Sequence, residues 1–159
     1  MMPLILIQPL RVAVIGAGKA GVIKARSALR YQQDVTLIAT EFSEAATALN
    51  CHLIYQDFYQ MSPSQLNDWQ LIYLAIPWPS QVQQQDFIRA WALTMMTQHK
   101  LLCVSCQPSL GNVVNPCSRQ VEDYTLTVSG ADMRPKTTKN LTNQLAQQFA
   151  LMLKDNAKK

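Results

Sequence analysis

The stretch VAVIGAGKAGVIKA, Val12 to Ala25, sets a run of β-branched residues directly before three glycines and an alanine-rich helix start. Gly16, Gly18 and Gly21 fit the pattern G-x-G-x-x-G between a strand and a helix. In that setting the first glycine allows a tight turn, the second lets backbone approach a pyrophosphate, and the third lets helix pack on strand. The helix start contributes unpaired N–H groups and a partial positive charge to phosphates. The turn reads as a dinucleotide-binding loop. The alternative is a glycine turn that only permits close packing. Lys19 would lie near the phosphates, although a lysine in a first helical turn is also ordinary surface.

Outward from this turn the chain alternates strand and helix. Arg11 to Ile15 is predicted as a strand and the helix after the turn runs to about Arg30. DVTLIAT, Asp34 to Thr40, is a second strand, EFSEAATALN a helix and CHLIYQ a third strand. Ser62, Pro63 and Ser64 open a helical turn before LIYLAI, Leu71 to Ile76, a continuous apolar run typical of a strand buried on both faces. Pro79 suits the first position of a long helix through about His99. That helix turns Val82, Phe87, Ile88, Trp91 and Met95 inward. LLCVS is the fifth strand. This alternation predicts an α/β fold with a doubly wound parallel sheet of the Rossmann type.

Beyond the fifth strand the rhythm changes. QPSLGNVVNPCSRQVED is rich in turn formers, and YTLTVS reads as a strand with one wet face. A last helix is expected from Thr137 or Thr138, with Leu141, Leu145, Phe149 and Leu153 at helical spacing. The expected domains are a nucleotide-binding domain over residues 1–107 and a dimerisation segment with a closing helix over 108–159.

The 159 residues are 48% hydrophobic, enough for a real core, and carry a net charge of +4. The basic residues are scattered, so no nucleic-acid footprint is predicted. No apolar run reaches the roughly 18 residues that a membrane span requires. MMPLILIQPL lacks a basic n-region and a small-residue cleavage site, and reads as part of the fold rather than as a signal peptide. With no export signal, the four cysteines suggest reduced thiols and a cytoplasmic protein. Cys103 and Cys106 form C-x-x-C, but residues three apart on a strand point to opposite faces, so no metal site is expected there.

An acidic residue that grips an adenine ribose usually ends the second strand. Here that strand ends Ile38-Ala39-Thr40 and Glu41 follows late, able either to reach the ribose or to favour the next helix start. NAD is preferred over NADP because no arginine stands nearby in sequence.

The order PLIL, VAVIGAGKAGVIKARSALR, DVTLIATE, LIYLAI, LLCVSCQPSLGNVVNP, YTLTVSGADMRP and NLTNQL resembles the precorrin-2 dehydrogenase family, also known from the N-terminal part of siroheme synthase. Pro108, Leu110, Asn112, Pro116, Ser129 and Pro135 fall at that family's spacings. The resemblance implies NAD-linked oxidation of precorrin-2 to sirohydrochlorin, in some members with insertion of ferrous iron. It implies a homodimer joined through the region from about Pro108 to Val128, and a precorrin-2-like tetrapyrrole as substrate or ligand. It also implies NAD contacts from Gly16, Ala17, Gly18, Lys19, Ala20 and Gly21, from Thr40 and Glu41, and from Ala75 and Ile76.

Three departures bear on activity. Where the family carries an aspartate after the fifth strand, the chain reads Ser105-Cys106-Gln107-Pro108, so Cys106 takes the catalytic position without a carboxylate. A cysteine of ordinary pKa is mostly protonated at neutral pH. SGADMRP has Ala131 and Asp132 where the family has glycines, and the family's helical continuation is not present. The expectation is a precorrin-2 dehydrogenase-like protein; the alternative is a non-catalytic NAD- or tetrapyrrole-binding module that acts with a partner.

Overall fold

A computed structural model describes residues 5–130 and 134–156. The chain divides into two compact units, one of which spans Leu4–Val114 and the other of which begins at Asn115.

In the first unit, β1 (Arg11–Ile15) leads through the glycine turn into α1 (Lys19–Arg30). There follow β2 (Asp34–Ala39), the single turn α2 (Glu44–Thr47), β3 (His52–Tyr55), two short 3₁₀ turns, β4 (Leu71–Leu74), α3 (Val82–Thr97) and β5 (Leu101–Val104). The five strands are all parallel, in the order β3-β2-β1-β4-β5. This is the expected doubly wound sheet. Alternation along each strand builds two cores. Ala13, Ile15, Ile72, Leu74, Leu102 and Val104 face α3 residues Ile88, Trp91 and Met95. Val12, Val14, Leu37, Tyr73 and Cys103 face α1 through Val22, Ala25 and Ala28. Burial on both faces is why these strands are nearly unbroken apolar runs.

Several boundaries differ from expectation. The predicted helix over EFSEAATALN shrinks to Glu44–Thr47, because β3 must begin at His52 to pair with Thr36. Pro79 lies outside α3, whose cap residue Gln81 is extended, so Val82 opens the helix at 62% exposure instead of pointing inward. Both long helices end in a Schellman cap with a non-glycine residue at positive φ. Gln32 has φ 57° after α1, and His99 has φ 57° after α3, with Lys100 N–H donating to Met95 O and His99 N–H to Met96 O.

Pro108 to Val113 run against the free edge of β5. The Leu102 amide donates to Asn112 Oδ1 at 2.7 Å, Asn112 Nδ2 donates to the Lys100 carbonyl at 2.8 Å, and the Asn112 and Val113 amides donate to Leu102 O. Gly111 lies so close to the Leu102 carbonyl that a side chain would overlap it. This segment protects a sheet edge.

The second unit contains β6 (Cys117–Val121) and β7 (Tyr124–Val128), an antiparallel pair turned by Glu122 at φ 52°, and α4 (Pro135–Asn156). The strand β6 was hidden in the turn-rich stretch because only Val121 on it is buried. The helix packs on the hairpin, with Tyr124 and Phe149 edge to face at 5.5 Å and Arg119 Nε donating to Asn143 Oδ1. It begins two residues earlier than the expected Thr137, and Leu141 and Leu145 of its apolar stripe are nearly half exposed. Ala131 and Asp132 lie outside the described residues.

Candidate functional site: the glycine turn and the carboxyl ends of the strands

β1 lies in mid-sheet between β2 and β4, so the turn at its carboxyl end sits at the centre of the sheet edge. The reversal of strand order there opens the crevice in which such sheets take ligands. Each glycine meets a different surrounding. Gly16 has φ +102°, its amide donates to Ile38 O at 2.8 Å, and a Cβ on it would lie 2.8 Å from the Ala75 carbonyl oxygen. A Cβ on Gly21 would overlap the Gly16 carbonyl oxygen, which lets α1 start hard against the turn. A Cβ on Gly18 would meet nothing within 4 Å.

Gly16 and Gly21 are therefore glycines because the fold has no room, whereas Gly18 faces open space. A fold that needed only close packing explains the first two and not the third. Gly18 caps α1 in extended conformation, no side chain caps the helix, and its first turn holds no acid. The first N–H groups of the helix and its positive end are thus left for an anion. Ala17 is buried beneath the turn, and Lys19 and Ala20 are exposed beside Gly18. These residues fit a dinucleotide pyrophosphate.

The other expected contacts surround this point. Thr40 and Glu41 follow the end of β2 and are exposed. Ala75 is buried and its amide donates to Ile15 O, while Ile76 is half-buried with Cγ2 3.1 Å from the site of a Cβ on Gly16. A groove of about 410 Å³ starts at Lys19 and is lined by Val22, Ile23, Arg26, Ser43 and Ala45. Arg26 and Ser43 were missed in the sequence, because helical periodicity and a crossover bring them together.

Cys106 stands just past β5, half-buried against the core cluster that includes Ile15, Ile72, Leu74, Trp91 and Val104, against which Tyr59, Ile76, Trp78, Phe87 and Leu110 also pack. Burial pushes its thiol above the ordinary value, against a smaller lowering by a backbone hydrogen bond. Tyr59 is raised too, first by burial, then by the charges of Asp57 and Cys106. Near neutral pH both hold their protons, and neither is a base. Beside them Ser105 Oγ is buried without a hydrogen-bond partner. Trp78 is half-buried, and the Arg89 guanidinium lies 5.4 Å from its ring centroid. The C-x-x-C pair does not converge: Cys103 is buried on the α1 face, where Lys24 Nζ approaches its Sγ at 3.9 Å, and Cys106 joins the opposite cluster.

A family model described as "Putative NAD(P)-binding" matches residues 4–117. The chain belongs to this NAD(P)-binding family. No curated protein matches it in sequence. Among solved structures, SirC, a precorrin-2 dehydrogenase, superposes with a TM-score of 0.70 at 16% identity, over 93% of this chain and 71% of that one. At such identity the likeness is one of fold, and it bears out the resemblance at that level. The Bordetella bronchiseptica enzyme WbmG in complex with NAD gives a TM-score of 0.46 at 12% identity, over 91% of this chain and 50% of its own. D-lactate dehydrogenase from Escherichia coli gives 0.46 at 19% identity, over 65% and 30%. Among the described residues no helix is long and apolar enough to cross a membrane.

Proposed function

We propose that this NAD(P)-binding chain holds NAD in the glycine turn and acts as a precorrin-2 dehydrogenase-like protein of tetrapyrrole biosynthesis. The open space at Gly18 beside two closed glycines carries the nucleotide part of this reading. The backbone N–H groups after Gly18 hold the pyrophosphate, with Lys19 and Ala20 beside it and Gly16, Ala17 and Gly21 shaping the turn. Thr40 and Glu41 meet the adenosine ribose, and Ala75 with Ile76 forms the apolar wall at the reactive end. Bound NAD supplies a hydride acceptor. The substrate, a reduced tetrapyrrole like precorrin-2, gives up a hydride and a proton. The resemblance sets Cys106 at the proton acceptor's position; burial raises its thiol, which keeps its proton near neutral pH, so on this reading the proton passes to solvent rather than to the protein.

The same observation favours a second reading, a binding module for NAD or a tetrapyrrole that works through a partner. In either case a homodimer formed through the second unit is supported by the exposed Tyr124, Leu141, Leu145, Leu151 and Met152. A cytoplasmic setting is supported by the four cysteines, none of which is in a disulfide among the described residues. The deciding experiment incubates the protein with precorrin-2 and NAD and follows NADH absorbance and sirohydrochlorin. Slow conversion that Cys106→Asp accelerates supports the enzyme; NAD binding with no product at stoichiometric protein leaves the binding module.

A further inference from the structure

The proposed reaction uses one half of the C-x-x-C pair and leaves Cys103 without a role. Cys103 lies within β5, 4% exposed, and its register partner on β4 is Tyr73. Lys24 reaches this face of the sheet from α1. Its Nζ lies 3.9 Å from Cys103 Sγ and 5.3 Å from the centroid of the Tyr73 ring. Lys24 is half-buried, and among the described residues no carboxylate pairs with it. Its amino group meets a sulfur and a ring face instead of an acid.

No second thiol of this unit can reach Cys103. Cys106 packs on the opposite face of the sheet. Cys51 precedes β3, at the far edge of the five-stranded sheet. Four strand spacings of about 4.8 Å place that edge roughly 19 Å away. Oxidised Cys103 therefore has one nucleophile at hand, and it is an amine rather than a thiol. A sulfenic acid condenses with nitrogen as well as with sulfur. Lysine carries its nitrogen on a flexible four-carbon stem, so rotation of that stem closes the remaining gap.

We propose that Lys24 and Cys103 are a covalent modification site, a sulfur–nitrogen bridge formed by peroxide and opened by thiols. In the first step Cys103 Sγ attacks one oxygen of hydrogen peroxide and the O–O bond breaks. Sulfur is oxidised by two electrons to the sulfenic acid, peroxide is reduced by two, and water leaves. In the second step Lys24 Nζ, as the free amine, attacks Sγ. The S–N bond forms, the S–O bond breaks, and the leaving hydroxide takes an amine proton as water. A reducing thiol attacks the sulfur and expels the amine, and a second thiol returns Cys103. The bridge joins residues 79 apart in sequence and ties α1, which starts at the glycine turn, to the edge strand β5.

Peptide mass spectrometry on the full chain tests this. Native protein is treated with hydrogen peroxide, quenched, alkylated and digested with trypsin. A bridged Lys24 resists trypsin, so the expected product joins the peptide Ala20 to Arg26 to the peptide Leu101 to Arg119. It is lighter than the two together by two hydrogens, fragments to Lys24 and Cys103, and is lost on treatment with dithiothreitol. Scanning fluorimetry of the treated protein is expected to show a Tm higher by about 5 °C or more, reversed by dithiothreitol, because the link closes a long loop. Lys24→Gln, a change at a half-exposed position, is expected to lose both the linked peptide and the Tm rise. Treatment in urea is expected to give no link, since the unfolded chain does not hold the pair together. Four outcomes overturn the proposal. They are Cys103 found only as thiol, sulfinic or sulfonic acid, a disulfide from Cys103, a link that forms equally in urea, or a Tm rise that survives in Lys24→Gln.

Discussion

Substituting each glycine of the turn by alanine separates what the fold needs from what the ligand needs. At Gly18 the backbone is extended, with φ −71° and ψ −175°, which alanine adopts freely, and the new methyl meets no atom within 4 Å. Reduced freedom of the unfolded chain favours the variant by about 0.4–1 kcal/mol. Loss of a preferred cap residue offsets about 0.5–1 kcal/mol of this. The net change is within about 1 kcal/mol, or roughly 2–4 °C in Tm for a chain of this size. Gly21→Ala instead drives a methyl into the Gly16 carbonyl, and overpacking of this kind costs about 1–3 kcal/mol. Gly16→Ala combines a positive φ with a 2.8 Å approach to Ala75 O, for a strain of about 1–3 kcal/mol beyond the overlap. Scanning fluorimetry reads stability and calorimetry reads NAD affinity. Gly18→Ala is expected to melt close to the parent and to lose about tenfold or more in NAD affinity, since its methyl fills the cradle. A Gly18→Ala protein as unstable as Gly21→Ala, or one that binds NAD like the parent, refutes the assignment of Gly18 to the ligand.

Three further outcomes are expected. Asn112→Ala removes both side-chain hydrogen bonds to the β5 edge and lowers stability by about 1–2 kcal/mol in a urea titration, whereas Asn112→Asp, which keeps the acceptor for the Leu102 amide, loses about half as much. His99→Gly relieves a positive φ at the Schellman cap of α3 and raises stability by about 1 kcal/mol, read in the same titration. Burial raises the thiols of Cys51 and Cys106 above 9.0, so the unfolded chain ionises first: their contribution is complete below that pH and is lost as pH rises through the folded values. Urea midpoints compared at about pH 8 and pH 10 should fall at the higher pH, and by less in the Cys51→Ser, Cys106→Ser variant.

The sheet was legible because β1, β2, β4 and β5 are buried on both faces, which leaves continuous apolar runs that no surface element imitates. Element ends were less so. EFSEAATALN contains good helix formers, but the short crossover from Ala39 to His52 leaves space for one turn, and that limit is set by strand pairing rather than by local preference. β6 carries Ser118, Arg119 and Gln120 and buries only Val121, so it has no alternation to betray it. The roles of the glycines could be inferred from their order, but the difference between Gly18 and its neighbours is visible only once Ala75 and the start of α1 crowd the turn. Arg26 is distant in sequence from the end of β2 and adjacent to Ser43 only through the helix stripe.

The two halves of the site depend on different kinds of chemistry, and this explains how one can persist while the other changes. The phosphate half is made of backbone: a positive φ, two close approaches and a row of helix N–H groups, none of which depends on ionisation. On the proposed reading the reactive half depends on one side chain past β5, Cys106, and on its protonation state. Setting Cys106 where the resemblance has a carboxylate suits the apolar core cluster that the half-buried thiol packs against. It does remove the group able to take a proton at neutral pH. The burial that raises the thiol would also raise a carboxyl placed there, moving its pKa upward toward the range where a general base works best. Cys106→Asp therefore tests more than the return of a charge. It asks whether the surrounding pocket still has the polarity of a reaction site, or has become an apolar wall against which a cofactor is merely held.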